Sequence, residues 1–464
     1  MKRIHLTILG CGLLLSGCNL YKSYERPAQL NDIQGLYRDT TTVEGSALAE
    51  ADTTNFGNTP WREVFTDPLL QELIDSALVR NFDLQKAELN IRSAEQAMKI
   101  SRLAYYPSLS FAPQGGISTF DGSKAAKTYT LPLSATWNLG SWGSLYNNRK
   151  LADVTVLQTK VAKQATRTAI ISAVANLYYT LQMLDAQLET TQETVLLWQR
   201  NVEVMEAMRE AGMTNDAAVA QAKANLYELQ TSVPALQNSI RQVENSLCLL
   251  LAEPSHAIRR SAFDADGFPA SMQTGVPVQL LSNRPDVRIA ELTLMSKFYN
   301  VNIARSAFYP SLNISGTAGW TNSAGSVVVN PAKFFANAAA SIVQPLFANG
   351  KLRANLKISQ NDYEAAVLDF QNAVLAAGQE VSNALSDYQT AVLQQQQREK
   401  EVRILADALE KTDYLFQHTN TTTYLEKLTA QQSLLNAKLS LINDKYNKVQ
   451  AAITLYGALG GGRD

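Results

Sequence analysis

The sequence predicts a mainly α chain with a small β part, built as two copies of one structural unit. Three observations predict it. First, shifting the chain by 203 residues aligns 78–116 with 281–319 without a gap. Fourteen positions are identical, among them Asp83/Asp286, Glu88/Glu291 and Arg102/Arg305, and the run Tyr106-Pro107-Ser108-Leu109 meets Tyr309-Pro310-Ser311-Leu312. With four more residues of shift the match resumes at Leu139/Leu346, Gly143/Gly350, Asn176/Asn383 and Gln182/Gln389. Repeats of this length mean that each copy supplies the same part of a symmetric object. Second, the stretches from Ser144 to Glu210 and from Lys351 to Gln417 contain no Pro and one Gly, Gly378. Third, strand-like segments precede both stretches at the same place in each copy.

The N-terminus reads as an export address. Lys2 and Arg3 precede an apolar run ending in Leu13-Leu14-Leu15, which is too short to span a membrane and fits a signal peptide over residues 1–17. Leu15-Ser16-Gly17-Cys18 resembles the lipobox of bacterial lipoproteins, in which the Cys becomes the first mature residue and carries acyl chains. Asn19 after it resembles the signal for outer-membrane rather than inner-membrane delivery. Residues 18–60 are polar and turn-rich and read as a lipidated, extended N-terminal segment. Removal of Cys11 and acylation of Cys18 leave Cys248 as a core residue without a disulfide partner. Past residue 20 no apolar run reaches about 18 residues, so no transmembrane helix is expected. With 41 basic and 42 acidic residues there is no electrostatic case for nucleic acid.

The first repeat is placed at 61–260 and the second at 261–464. Asp67 is an N-cap with Pro68 at the first helical position, followed by the stripe Leu69, Leu70, Leu73, Ile74, Ala77. The Tyr-Pro pairs end a helix in each copy, because Pro disfavours helix at the residue before it. Strands are expected at about 106–139 and 309–347, with Leu131, Leu133, Ala135, Trp137 and Leu139 alternating in the first. Gly122-Ser123 and Gly325-Ser326 mark the hairpin loops, the second of which is expected to be longer near 321–333. In the second long stretch Phe370, Val374, Ala377, Val381, Leu385, Tyr388 and Val392 step 4-3-4-4-3-4, an 11-residue period that allows nearly straight packing. Pro234 falls inside a return helix, and Arg284-Pro285-Asp286 opens another, where negative charge is favourable.

Four candidate membrane strands per chain cannot close a barrel, since the smallest known have eight. An open sheet edge in lipid would leave backbone groups unpaired. Other copies must complete the sheet, and three would give 12 strands, with the long helices forming a tube through the periplasm.

Trp61-Arg62-Glu63-Val64-Phe65-Thr66-Asp67-Pro68-Leu69, Arg284-Pro285-Asp286-Val287 and the ending Leu455-Tyr456-Gly457-Ala458-Leu459-Gly460-Gly461-Gly462 then make the chain similar to the TolC family of outer-membrane efflux proteins, in its lipoprotein branch. The resemblance covers nearly everything after Cys18. It implies a homotrimer with a 12-stranded outer-membrane β-barrel, a periplasmic α-helical barrel and an equatorial mixed domain. It also implies a periplasmic adaptor protein and an inner-membrane, proton-driven transporter as partners. The chain would be a passive conduit for small molecules such as drugs, not an enzyme, with no cofactor. His5, His256 and His418 are scattered and give no metal site, and no nucleophile–base–orienter grouping is visible. A conduit for type I protein secretion and a lipid-anchored periplasmic coiled-coil scaffold are the alternatives.

In the family the turns after the long helices converge into a periplasmic gate, and a second-copy motif Tyr-Leu-x-x-Leu-Asp-Ala-Gln-Arg braces it. Here the stretch reads Tyr424-Leu425-Glu426-Lys427-Leu428-Thr429-Ala430-Gln431-Gln432. Thr429 stands at the acid and Gln432 at the Arg, so an ionic brace between those two positions is not available. A ring of Leu425 would close the gate by dewetting, with buried helix packing as the other reading of Leu425. Asp216 would either add an acidic ring or cap its own helix.

Overall fold

The computed structural model describes residues 23–27, 56–119, 121–122, 124–141, 143–265, 283–324, 327–419 and 422–462. The lipobox and Cys18 lie outside them, as do most of the N-terminal segment, Ser123 and the Gly325-Ser326 tip. Helices dominate. After a 3-10 turn at Phe56–Asn58 come α1 (Trp61–Val64), α2 (Pro68–Arg80) and α3 (Phe82–Leu103). Strands β1 (Ser108–Phe111), β2 (Gln114–Ser118) and β3 (Ala126–Ser141) lead into α4 (Ser144–Glu210) and α5 (Asp216–Leu250). The second copy gives α6 (Pro285–Ser306), β4 (Ser311–Ala324), β5 (Val327–Val343), α7 (Lys351–His418) and α8 (Tyr424–Ala458). At 1.5 Å per residue α4 and α7 are each about 100 Å long, from 67 and 68 residues.

Two compact units divide the chain, and neither is a repeat. One is built mainly from Leu89–Lys160 and Ile289–Asn372, the other mainly from Val161–Arg288 and Ala373–Asp464. Each repeat therefore contributes matching pieces to both.

The first unit holds one antiparallel sheet in the order β1-β3-β4-β5, with β2 also on β3. β1 and β2 are one strand position interrupted at Ala112-Pro113, so the sheet is four positions wide. Its register separates two faces. Thr130 lies opposite Thr321, Ser134 opposite Thr317, Thr136 opposite Ser315 and Asn138 opposite Asn313. Hydroxyls join across it, Thr130 to Thr321 at 2.9 Å and Ser134 to Thr317 at 3.3 Å. On the other face Leu131 meets Trp320, Leu133 meets Ala318 and Trp137 meets Ile314, while Trp320 in turn meets Phe334 and Leu312 meets Ile342. That apolar face is uncovered: Leu109, Phe111, Leu133, Trp320, Phe334 and Ile342 are all more than half exposed.

The second unit carries a helical core. Asp67 caps α2, accepting from the Leu69 N–H at 2.9 Å. Its other oxygen accepts from the Tyr178 hydroxyl at 2.6 Å and from the Ser261 hydroxyl. Burial raises the Asp67 pKa, but the hydrogen bonds from Ser261, Tyr178, Leu69 and Leu70 outweigh it and hold the carboxyl below the usual range. Arg284, buried, donates to the Ala458 carbonyl at 2.9 Å and to Asp286 and Glu380, which ties the start of α6 to the end of α8. Cys248 is buried, with Sγ 3.5 Å from His256 Nδ1.

Three expectations change. The second copy does not carry a longer loop near 321–333: β4 and β5 pair from Ser311/Val343 out to Ala324/Val327, so the extra residues lengthen the hairpin, through a register shift at Thr321/Ser323. Cross-strand hydrogen bonds form whatever the side chain, so the Ala run at 336–340 does not end β5. The main strands, of 14 to 17 residues, are longer than the roughly 10 to 13 residues that the sequence predicts for a tilted membrane strand. The buried side chains of α7 include Ala366, Phe370, Val374, Ala377, Val381, Ala384, Ala391 and Gln395, with a seven-residue spacing from Phe370 onward in place of the 11-residue one. Leu385, Tyr388 and Val392 lie at its margin, half-buried.

Candidate gate at the helix turns

Both turns after the long helices lie in the second unit. The first is set by backbone chemistry. Gly212, at φ +72°, ends α4 in the left-handed conformation that glycine adopts at least cost. The Met213 N–H reaches the Met208 carbonyl at 2.8 Å and the Gly212 N–H reaches Arg209 at 2.9 Å, the bond pair of a Schellman ending. Asn215 then caps α5, its side chain accepting from the Ala218 N–H at 2.9 Å.

Asp216 is therefore not the cap. It is the first helical residue, 90% exposed at its side chain, with Oδ1 3.6 Å from Arg209 across the turn. Asn215 took the cap because the cap residue must be extended, and its ψ of 165° is.

The second turn ends in a capping box. The Thr423 hydroxyl accepts from the Glu426 N–H at 3.3 Å, and Glu426 accepts from the Thr423 N–H at 2.7 Å. The pattern Thr-x-x-Glu was present in the sequence and is the signal that would have placed the start of α8. Leu425 is the second residue of α8 and is 67% exposed, so it is not packing between helices of its own copy. Thr429 turns its hydroxyl back to the Leu425 carbonyl at 2.8 Å. Gln432 donates to Asn436 at 3.1 Å, one turn along α8. Thr429 and Gln432 are thus both hydrogen-bonded within their own helix.

Next to Leu425 the tip is held firmly. Tyr424 packs on Met205, Val219 and Ala222 of α4 and α5, and burial pushes its hydroxyl up to about 12. Lys427 lies 2.5 Å from Asp413 and over the Phe416 ring at 5.4 Å. Lys223 pairs with Glu206 at 2.6 Å, and Asn201 donates to Gln431 at 2.7 Å. The exposed Leu425 is therefore carried on an anchored helix start. Among the described residues no three His, Cys, Asp or Glu side chains gather at metal-ligand spacing.

Comparison with known proteins decides the class. The model of the family described as outer membrane efflux protein matches residues 73–253 and 276–461. The chain belongs to that family. It is 28% identical over 453 residues to the cation efflux system protein CusC of Escherichia coli, covering 97% of each. To the toluene efflux pump outer membrane protein TtgC of Pseudomonas putida it is also 28% identical, over all of this chain and 96% of the other. A crystal structure of CusC superposes with a TM-score of 0.84 at 27% identity, over 96% of this chain and 100% of that one. The open-state MtrE channel of Neisseria gonorrhoeae gives 0.85 at 24% identity, over 96% and 99%. This efflux protein is thus an outer-membrane channel component of an efflux pump, with the mainly α architecture its sequence predicts.

Proposed function

We propose that three copies of this efflux protein close a 12-stranded barrel and act as a passive conduit for small molecules across the outer membrane. The sheet carries this reading. One face is polar and hydroxyl-lined, and the other is apolar and uncovered, which is the pattern of a strand set with water on one side and lipid on the other. Among the described residues the outermost positions, β1/β2 and β5, each have one edge with no strand beside it. Pairing β5 of one copy with β1/β2 of the next removes every edge from lipid.

Membership of the family supports the remaining features. Acyl chains on Cys18 anchor the N-terminus. A periplasmic adaptor and a proton-driven inner-membrane transporter supply cargo and energy, and the channel does no chemistry. The relatives are named for cargoes as different as cations and toluene, consistent with selection upstream of the conduit. Leu425 from three copies forms the apolar constriction of the resting gate.

Planar-bilayer recording tests the conduit. Purified protein should insert and show discrete conductance steps. Insertion with intact β-structure but without conductance, under conditions in which gate variants are equally silent, would rule it out.

A further inference from the structure

We infer that Lys333 makes the barrel lumen selective for anions, through a ring of Lys333 side chains contributed one by each copy. This rests on the closed trimer proposed above. The strands carry two charged side chains and no carboxylate: Lys127 in β3 and Lys333 in β5. Pairing puts the two on opposite faces, because directly opposed residues share a face and successive residues alternate between faces. Lys127 lies opposite Ile117, on the same side of β3 as Leu131, which is the apolar face. Lys333 lies opposite Thr321, Thr321 opposite Thr130, and Thr130 opposite Gln114. That row crosses every strand position on the polar face. Lys333 is its one charged member and is exposed.

Nothing else on the polar face favours one sign of ion. Its other side chains include Ser134, Thr317, Asn313 and Asn337, which are neutral. A 12-stranded barrel with strands about 4.8 Å apart and tilted about 40° has a backbone radius of roughly 12 Å. An extended Lys carries its ammonium about halfway to the axis, so the remaining gap is shorter than the Debye length of about 10 Å at 0.1 M salt. The fields of the ammonium groups therefore overlap across the lumen. They raise the local concentration of anions and lower that of cations, as Lys and Arg rings do in anion pores. Lys127 stands on the other side of the wall and does not face that water.

Reversal potentials of open channels in planar bilayers, under a gradient of KCl, test the assignment. Wild type should favour chloride. Lys333→Gln should lower the chloride-to-potassium permeability ratio at least about threefold at 0.1 M salt, the scale set by several unit charges acting through water. Lys333→Glu should lower it further, and Lys333→Arg should keep the wild-type ratio. Lys127→Gln removes the same charge from the opposite face and should leave the ratio unchanged. The Lys333→Gln effect should shrink at 1 M salt, where the Debye length is about 3 Å. A wild type that favours potassium would overturn the inference. So would Lys333→Gln or Lys333→Glu channels with the wild-type ratio, or a Lys127→Gln channel that changes as much. Either Lys333 variant carries the test if the other does not assemble. Folded, inserted wild type without any conductance would sink the conduit reading and this inference with it. Conductance with an unchanged ratio would sink this inference alone.

Discussion

Leu425 is an apolar side chain held out of its own protomer by a rigid helix start, and a gate needs such a residue. Leu425→Ser should raise the open fraction in planar bilayers, while Thr429→Ala and Gln432→Ala change it little, because those two side chains are satisfied inside α8. A closed Leu425→Ser channel, or opening by Gln432→Ala alone, would count against the apolar constriction. Asn215 makes a different prediction. Asn215→Ala should cost about 1 kcal/mol in a chemical melt, the usual value of an N-cap, and Asp216→Asn should cost much less. Equal losses would return the cap to Asp216. Asp67 adds a pH dependence. Its folded pKa is lowered, so its stabilisation is full above the ordinary carboxylate range and is lost as pH falls through the lowered value. Asp67→Asn should flatten the acid limb of a stability-against-pH curve, and an unchanged limb would show that other carboxylates set it. At this scale the sequence was only partly legible. Asp67 could be read as a cap because Pro68 follows it. Asn215 and Asp216 are adjacent and both good caps, and only backbone geometry chooses between them.

Elements were legible where composition dictates them and obscure where packing does. The absence of Pro from Ser144 to Glu210 left little but a continuous helix. The second half of the buried stripe of α7 is not legible from residue type. Ala384 and Ala391 lie on the buried face through their phase on the helix, and the larger Leu385, Tyr388 and Val392 lie at its margin. β5 was equally hard to bound, because pairing across Ala336, Ala338 and Ala340 comes from the backbone ladder. Close approach in the sheet gives a direct test. A Cβ at Gly319 would lie 2.1 Å from the Leu131 carbonyl oxygen, whereas one at Gly115 meets nothing nearer than 3.8 Å. Gly319→Ala should therefore abolish heat-modifiable, folded protein in outer-membrane fractions, and Gly115→Ala should leave it near wild-type amount. A normal yield of Gly319→Ala would mean that β3 and β4 are not paired in this register.

For the whole molecule, the repeat was the most informative feature of the sequence, and its meaning is supramolecular. Among the described residues each copy gives two strand positions to the sheet, and four are too few to close. The repeat could be read by alignment. The division into compact units could not, since it cuts across both copies and depends on contacts between residues hundreds of positions apart. Closure by three chains is the claim on which the conduit, the lipid-facing sheet and the ring of Leu425 all depend. The mass of the purified protein by native mass spectrometry in mild detergent tests it most directly. The account predicts a species of three times the mature chain mass, with β-structure retained. A stable monomer with the same β-structure would contradict it.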